Sequence, residues 1–124
     1  MKLIEVKEAL EGEVIAGADL LNIDVSIGCA ADLMSDILAY ASPGALLLTG
    51  LTNPQVIRTA EMKDIKAICF VRAKRPDQTI INMADDLHMI LLRTNLPMFE
   101  SCGRLYSKGI IGLGHLGFDN DEKE

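Results

Sequence analysis

From residue 45 onward the chain alternates short, continuously apolar runs with longer stretches in which apolar residues recur every three or four positions. Ala45–Thr49, Ala67–Val71 and Met89–Leu92 are the apolar runs. Runs this short, with no polar alternation, predict strands covered on both faces. Between them, Val56, Ile57 and Ala60 form one helical stripe, and Ile80, Ile81, Ala84 and Leu87 form another. Asn53 can cap the free N–H groups of the first of these helices, with Pro54 at the first helical position, where its missing N–H is no loss. Asp77 can cap the second. A third helix opens at Leu96-Pro97, with Met98, Cys102 and Leu105 on one stripe and Phe99 and Tyr106 on the next, and Gly109 ends it. Strands and helices in this order predict right-handed βαβ units and a mainly parallel sheet flanked by helices.

The first third is less regular. Leu3, Val6 and Leu10 give a short amphipathic helix ended by Gly12. Glu13–Ala16 reads as a strand closed by Gly17, and Val25–Cys29 as a second strand. Asp32 can cap a helix whose stripe is Leu33, Ile37 and Ala41, stopped by Ser42-Pro43-Gly44. These two strands are expected to pair at one edge of the sheet. The expected whole is one α/β domain over residues 1–111, followed by a glycine-rich and then acidic tail over residues 112–124.

Composition narrows the function. The 124 residues carry a net charge of −6, which argues against a general nucleic-acid binder. No apolar run approaches the ~18–20 residues that span a bilayer, and the start turns acidic without a signal-peptide stretch, so a cytoplasmic protein without membrane association is expected. Cys29, Cys69 and Cys102 form no CxxC and lie in apolar surroundings, as reduced core residues do. The charge is unevenly placed: −6 over residues 1–62, +3 over 63–117 and −3 over 118–124.

That basic excess matters because ligands of open parallel sheets bind outside the carboxyl ends of the strands. Those ends read Thr49-Gly50-Leu51-Thr52-Asn53-Pro54, then Arg72-Ala73-Lys74-Arg75-Pro76-Asp77, then Arg93-Thr94-Asn95. Four of the twelve cationic side chains lie in the last two loops, the hydroxyls of Thr49, Thr52 and Thr94 fall on the same edge, and a helix directs its N–H groups there. Thr49, Thr52, Asn53, Arg72 and Lys74 are therefore the candidate contacts for a small anion, a phosphate or a carboxylate. The competing reading is that Arg72, Lys74 and Arg75 are solvated and pair with Asp77, Asp85 or Asp86.

Other motifs carry less. Gly112-Leu113-Gly114-His115-Leu116-Gly117 matches GxGxxG, but with seven residues after it no βαβ unit can follow. His88 and His115 are isolated, with His88 expected at a helix end. Asp32 and Asp36 could share Mg²⁺ at helical spacing, but a capping residue beside a solvated one accounts for them better. No metal site, cofactor motif or nucleophile–base pairing is found, so no catalytic residue is assigned and the chain is not expected to be an enzyme.

The segment Asp32-Leu33-Met34-Ser35-Asp36-Ile37-Leu38-Ala39, with Gly44 and an apolar strand after it, resembles the DRTGG domain. So do Glu13–Gly17 after a short helix, the Thr52-Asn53-Pro54-Gln55 helix start, and Phe99-Glu100-Ser101-Cys102-Gly103-Arg104-Leu105-Tyr106. The similarity spans residues 1–110 or so and is closest to short, stand-alone members. It implies an α/β fold similar to the N-terminal domain of HPr kinase/phosphorylase and a non-catalytic, regulatory or ligand-sensing role. Related domains occur beside CBS domains and within some phosphotransacetylases, and short versions near hydrogenase and signalling-kinase genes. The sequence departs from the name-giving pattern. Leu51-Thr52-Asn53 stands where the family often has Asp-Arg, and Val71-Arg72-Ala73 where it often has Thr-Gly-Gly. Arg72 and Ala73 in place of glycines close off a tight backbone approach.

Two functions fit these features. One is a regulatory module binding a small anionic ligand at the strand ends. The other is a structural domain that forms a homodimer and docks on a partner enzyme or kinase, with Leu113, Leu116 and Phe118 as candidate surface.

Overall fold

The computed structural model describes residues 1–112. Three apolar runs form its centre as parallel strands: β3 (Leu46–Thr49), β4 (Ala67–Phe70) and β5 (Ile90–Arg93). Their register sets Leu46 beside Ala67 and Ala67 beside Ile90, so alternate residues leave the sheet on opposite faces. Leu47, Ile68, Phe70 and Leu91 go to one core, where they meet Ile37, Val56, Ile57, Ala60, Ile80 and Ala84. Leu46, Leu48, Cys69, Ile90 and Leu92 go to the other, against Leu3, Val6, Leu10 and Leu105. Two buried faces explain why these runs show no polar alternation.

The helices supply the outer layers. With α1 (Leu3–Ala9) and α5 (Met98–Ser107) covering one face, α2 (Met34–Tyr40), α3 (Pro54–Met62) and α4 (Gln78–Asp86) cover the other. The expected caps of α3 and α4 are in place. The Asn53 carboxamide oxygen accepts the Val56 N–H at 3.2 Å, and the Asp77 carboxylate accepts the Ile80 N–H at 3.2 Å.

The N-terminal strands depart from expectation. β1 (Glu13–Ala16) and β2 (Gly28–Ala30) do not pair; the sheet order is β1-β5-β4-β3-β2, which puts them at opposite edges. The three central strands leave two open edges, and each N-terminal strand closes one. β1 runs antiparallel to β5, with an irregularity between Val14 and Ala16, while β2 runs parallel to β3. The intervening chain is bound to the N-terminus instead, through Leu3 N–H to Ile23 C=O and Val25 N–H to Met1 C=O, at 3.0 and 2.8 Å. This engagement also delays the second strand, expected over Val25–Cys29, to Gly28.

Two smaller expectations are corrected. Leu33 is the extended residue before α2, not a core position, and is 62% exposed. Leu87 follows α4 and is also exposed. The GxGxxG segment beyond Gly112, His115, the apolar residues Leu113, Leu116 and Phe118, and the acidic tail lie outside the described residues.

Candidate functional site

β2, β3 and β4 are adjacent and parallel, so the loops after them lie side by side. Each contributes to one cluster. Asp32, two residues beyond β2, receives three donors. The Gly50 N–H donates to its Oδ1 at 2.7 Å, the Thr49 hydroxyl to the same oxygen at 3.3 Å, and Arg72 Nη2 to Oδ2 at 3.1 Å. Thr49 is buried, and its oxygen also accepts the Leu51 N–H at 3.1 Å, which fixes the turn after β3.

Gly50 leaves room for this arrangement, and a larger residue there would push the flexible Arg72 side chain aside. A Cβ there would collide with the Arg72 guanidinium, which lies across the Gly50 backbone. Asp32 is thus held between a backbone amide and a cation. Partial burial pushes its carboxyl upward, but the Gly50 N–H, the Arg72 guanidinium and the Thr49 hydroxyl together outweigh this and hold it below the ordinary 3.8. The Arg72–Asp32 pair is some two-fifths exposed on both sides, so its own contribution to stability is at most ~1 kcal/mol.

The loop carrying Arg72 is conformationally unusual. Arg72 and Ala73 both adopt left-handed backbone angles, φ 58° and 60°. This conformation costs an L-residue with a Cβ roughly 1–2 kcal/mol. It is imposed by two backbone bonds: Arg72 N–H to Leu96 C=O and Ala73 N–H to Thr94 C=O, each 2.9 Å. Glycine suits such a position, and here the side chain that replaces it is the one that reaches Asp32.

The remaining cations are arranged separately. Arg75 and Arg93 both reach Glu13 Oε1, at 3.0 and 3.2 Å, and Arg93 also donates to Asn95 at 3.2 Å. The acids expected to pair with Arg72 and Arg75 are therefore replaced by Asp32 and Glu13. Lys74 is exposed and makes no ion pair among the described residues.

Of the five sequence candidates, Thr49 and Arg72 meet at Asp32. Asn53 is exposed with its side-chain oxygen engaged in the α3 cap, Thr52 is half-buried in the same loop, and Lys74 stands two residues beyond Arg72. Thr94 is committed elsewhere: its hydroxyl donates to Leu10 C=O at 2.6 Å and accepts the Leu96 N–H at 3.1 Å. Sequence reading missed Asp32 and Gly50. Asp32 was expected to cap α2, but the residue before that helix is Leu33, which makes no side-chain cap. The strand-end rule, extended to β2, would have found it.

No reactive thiol lies in the cluster. Burial pushes Cys69 up to about 12 and also raises Cys29 and Cys102, so all three stay protonated, and all are free of disulfides. Among the described residues no group of three or more His, Cys, Asp or Glu could hold a metal ion. Nor is any helix there long and apolar enough to cross a membrane. Two cavities lie elsewhere, an open one by Met1, Glu5 and Lys108 and an apolar one of about 180 Å³ between β2 and α5.

A helix-flanked, mainly parallel sheet with a polar cluster at its strand ends defines a single α/β domain. Within that class the chain belongs to the DRTGG domain family, whose model matches residues 5–107. Comparison with curated sequences gives no match. Among solved structures, the chain is similar to the CBS and DRTGG domains of the regulatory region of Clostridium perfringens pyrophosphatase, a structure complexed with its activator, diadenosine tetraphosphate. The TM-score is 0.68 at 12% identity, over 84% of this chain and 45% of that one. This chain therefore spans about half of that region, and at such identity the likeness establishes the fold.

Proposed function

We propose that this chain is a non-catalytic regulatory or ligand-sensing module that takes a small anionic ligand, of nucleotide or phosphate type, at the carboxyl ends of β2, β3 and β4. One observation carries the reading. A backbone N–H, a buried hydroxyl and a guanidinium converge on a single carboxylate at the ends of three adjacent parallel strands. Donors so arranged suit phosphate or carboxylate oxygens. Lys74 and the start of α3 add positive potential beside them. That a structure of the same fold belongs to a regulatory region with a nucleotide activator supports the ligand class.

Thermal-shift measurements with nucleotides and phosphorylated metabolites test the proposal. A stabilising compound is expected, and its effect falls in Arg72→Ala. No stabilisation by any compound, or an equal effect on Arg72→Ala, overturns it.

A second reading is a structural domain that forms a homodimer and docks on a partner enzyme or kinase. It is favoured by two large apolar side chains left in solvent along α5, Phe99 at 87% and Tyr106 at 58%. Light scattering on the full chain and on residues 1–111 tests it. A monomer under all conditions removes self-association, and a dimer unaffected by truncation removes residues 112–124 from the interface.

A further inference from the structure

The three donors at the strand ends are not vacant. Asp32 spends both carboxylate oxygens on them, with Oδ1 toward Gly50 and Thr49 and Oδ2 toward Arg72. A carboxylate accepting an N–H, an O–H and a guanidinium reproduces the environment of a bound phosphoryl oxygen pair. Arg72 lies against Gly50, and the Gly50 amide that would meet an external anion is already taken by Asp32.

From this geometry we infer that Asp32 is an internal competitor, an autoinhibitory carboxylate that occupies the anion position until a ligand displaces it. The inference rests on the proposed anion site and concerns its regulation. Asp32 is tethered next to β2, so its effective concentration at the donors is high. An external anion must displace it, and its apparent affinity falls by the fraction of molecules in which the donors are free. If Asp32 occupies them in ~90–99% of molecules, the apparent affinity is lowered ~10–100-fold. Displacement also frees the Asp32 carboxylate and the Arg72 side chain together. Ligand arrival would then be felt at the β2–α2 connection, since α2 begins two residues after Asp32.

Asp32→Asn tests this directly. Asparagine keeps an oxygen for the Gly50 N–H but loses the charge that holds Arg72. Binding of inorganic pyrophosphate, ATP and diadenosine tetraphosphate is measured by calorimetry near neutral pH on wild type, Asp32→Asn, Arg72→Ala and Asp36→Asn. Asp36→Asn removes a nearby charge that touches none of the three donors. A melting curve for each variant confirms folding. The inference expects Asp32→Asn to bind at least about tenfold more tightly than wild type, Arg72→Ala to bind more weakly, and Asp36→Asn to change by a few-fold at most. In Asp32→Asn, the Gly50 amide resonance moves on adding pyrophosphate. If wild type binds a probe, Arg72→Ala weakens it and Asp32→Asn binds no tighter, the ligand site stands and the internal competitor is overturned. Equal tightening by Asp36→Asn overturns it too, since general charge then explains the gain. If no variant binds any probe, Asp32→Asn included, the anion site itself is refuted, and the inference with it.

Discussion

Thr94 is a buried crossing point between distant parts of the chain, and replacing it with valine isolates what its hydroxyl does. Valine keeps the shape and removes one oxygen. Two groups then lose their partner: the Leu10 carbonyl, held at 2.6 Å across 84 residues of sequence, and the Leu96 N–H, held at 3.1 Å. Thr94 is 1% exposed and Leu10 fully buried, so water does not readily replace the hydroxyl. Each unsatisfied group costs ~1–3 kcal/mol. The Leu96 N–H is half-buried and belongs at the low end. The sum is about 2–4 kcal/mol, a large share of the ~5–15 kcal/mol stabilising an ordinary domain. At roughly 4 °C per kcal/mol for a chain of this length, melting falls by ~8–16 °C. Urea unfolding of wild type and Thr94→Val, with the slope checked for constancy, is the assay. A loss below ~0.5 kcal/mol would refute the reasoning, because it would mean that both groups find other partners.

Ala73→Gly relieves a left-handed alanine and should stabilise by ~0.5–1 kcal/mol, seen as a higher melting temperature; a decrease would show that the φ of 60° carries no strain. Asp32 has a lowered carboxyl pKa, so its stabilising effect is present above the ordinary 3.8 and is lost as pH falls through the lower folded value. The stability difference between wild type and Asp32→Asn should therefore be flat near neutral pH and shrink in acid, and urea midpoints that keep a constant gap down to about pH 3 would contradict this. Cys69, pushed up to about 12 by burial, should resist a thiol reagent in the folded protein and react fully in denaturant; labelling at the rate of an exposed thiol would contradict its burial.

The central architecture was legible because burial writes itself into the sequence. Ala45–Leu48, Ala67–Val71 and Met89–Leu92 are apolar at every position because both faces of β3, β4 and β5 are covered. Asn53-Pro54 and Asp77 marked helix starts because capping is local chemistry. The order of the edge strands was not legible, since β1 meets β5 across some eighty residues and no local pattern encodes that pairing. The site was partly legible for the same reason. Thr49 and Arg72 follow strongly patterned strands, but Asp32 follows a three-residue edge strand with weak pattern, and its position beside Leu33 invites a capping role. Thr94, on the same strand-end edge as Thr49 and Thr52, ties down Leu10 instead; a hydroxyl at a strand end looks the same in sequence in either role.

The pairing of β1 with β5 orders events during synthesis. Glu13 lies opposite Arg93, and Leu10 waits for Thr94, so the first sixteen residues leave the ribosome with their sheet partner still unmade. β3, which carries Thr49, and β4, which leads into the Arg72 loop, are consecutive strands and can associate while β1 is still unpaired. The β1 edge therefore closes only once β5 has been made, although β1 precedes it by some eighty residues. Until that happens, β5 presents an unpaired apolar edge to its surroundings, the kind of edge on which aggregation begins.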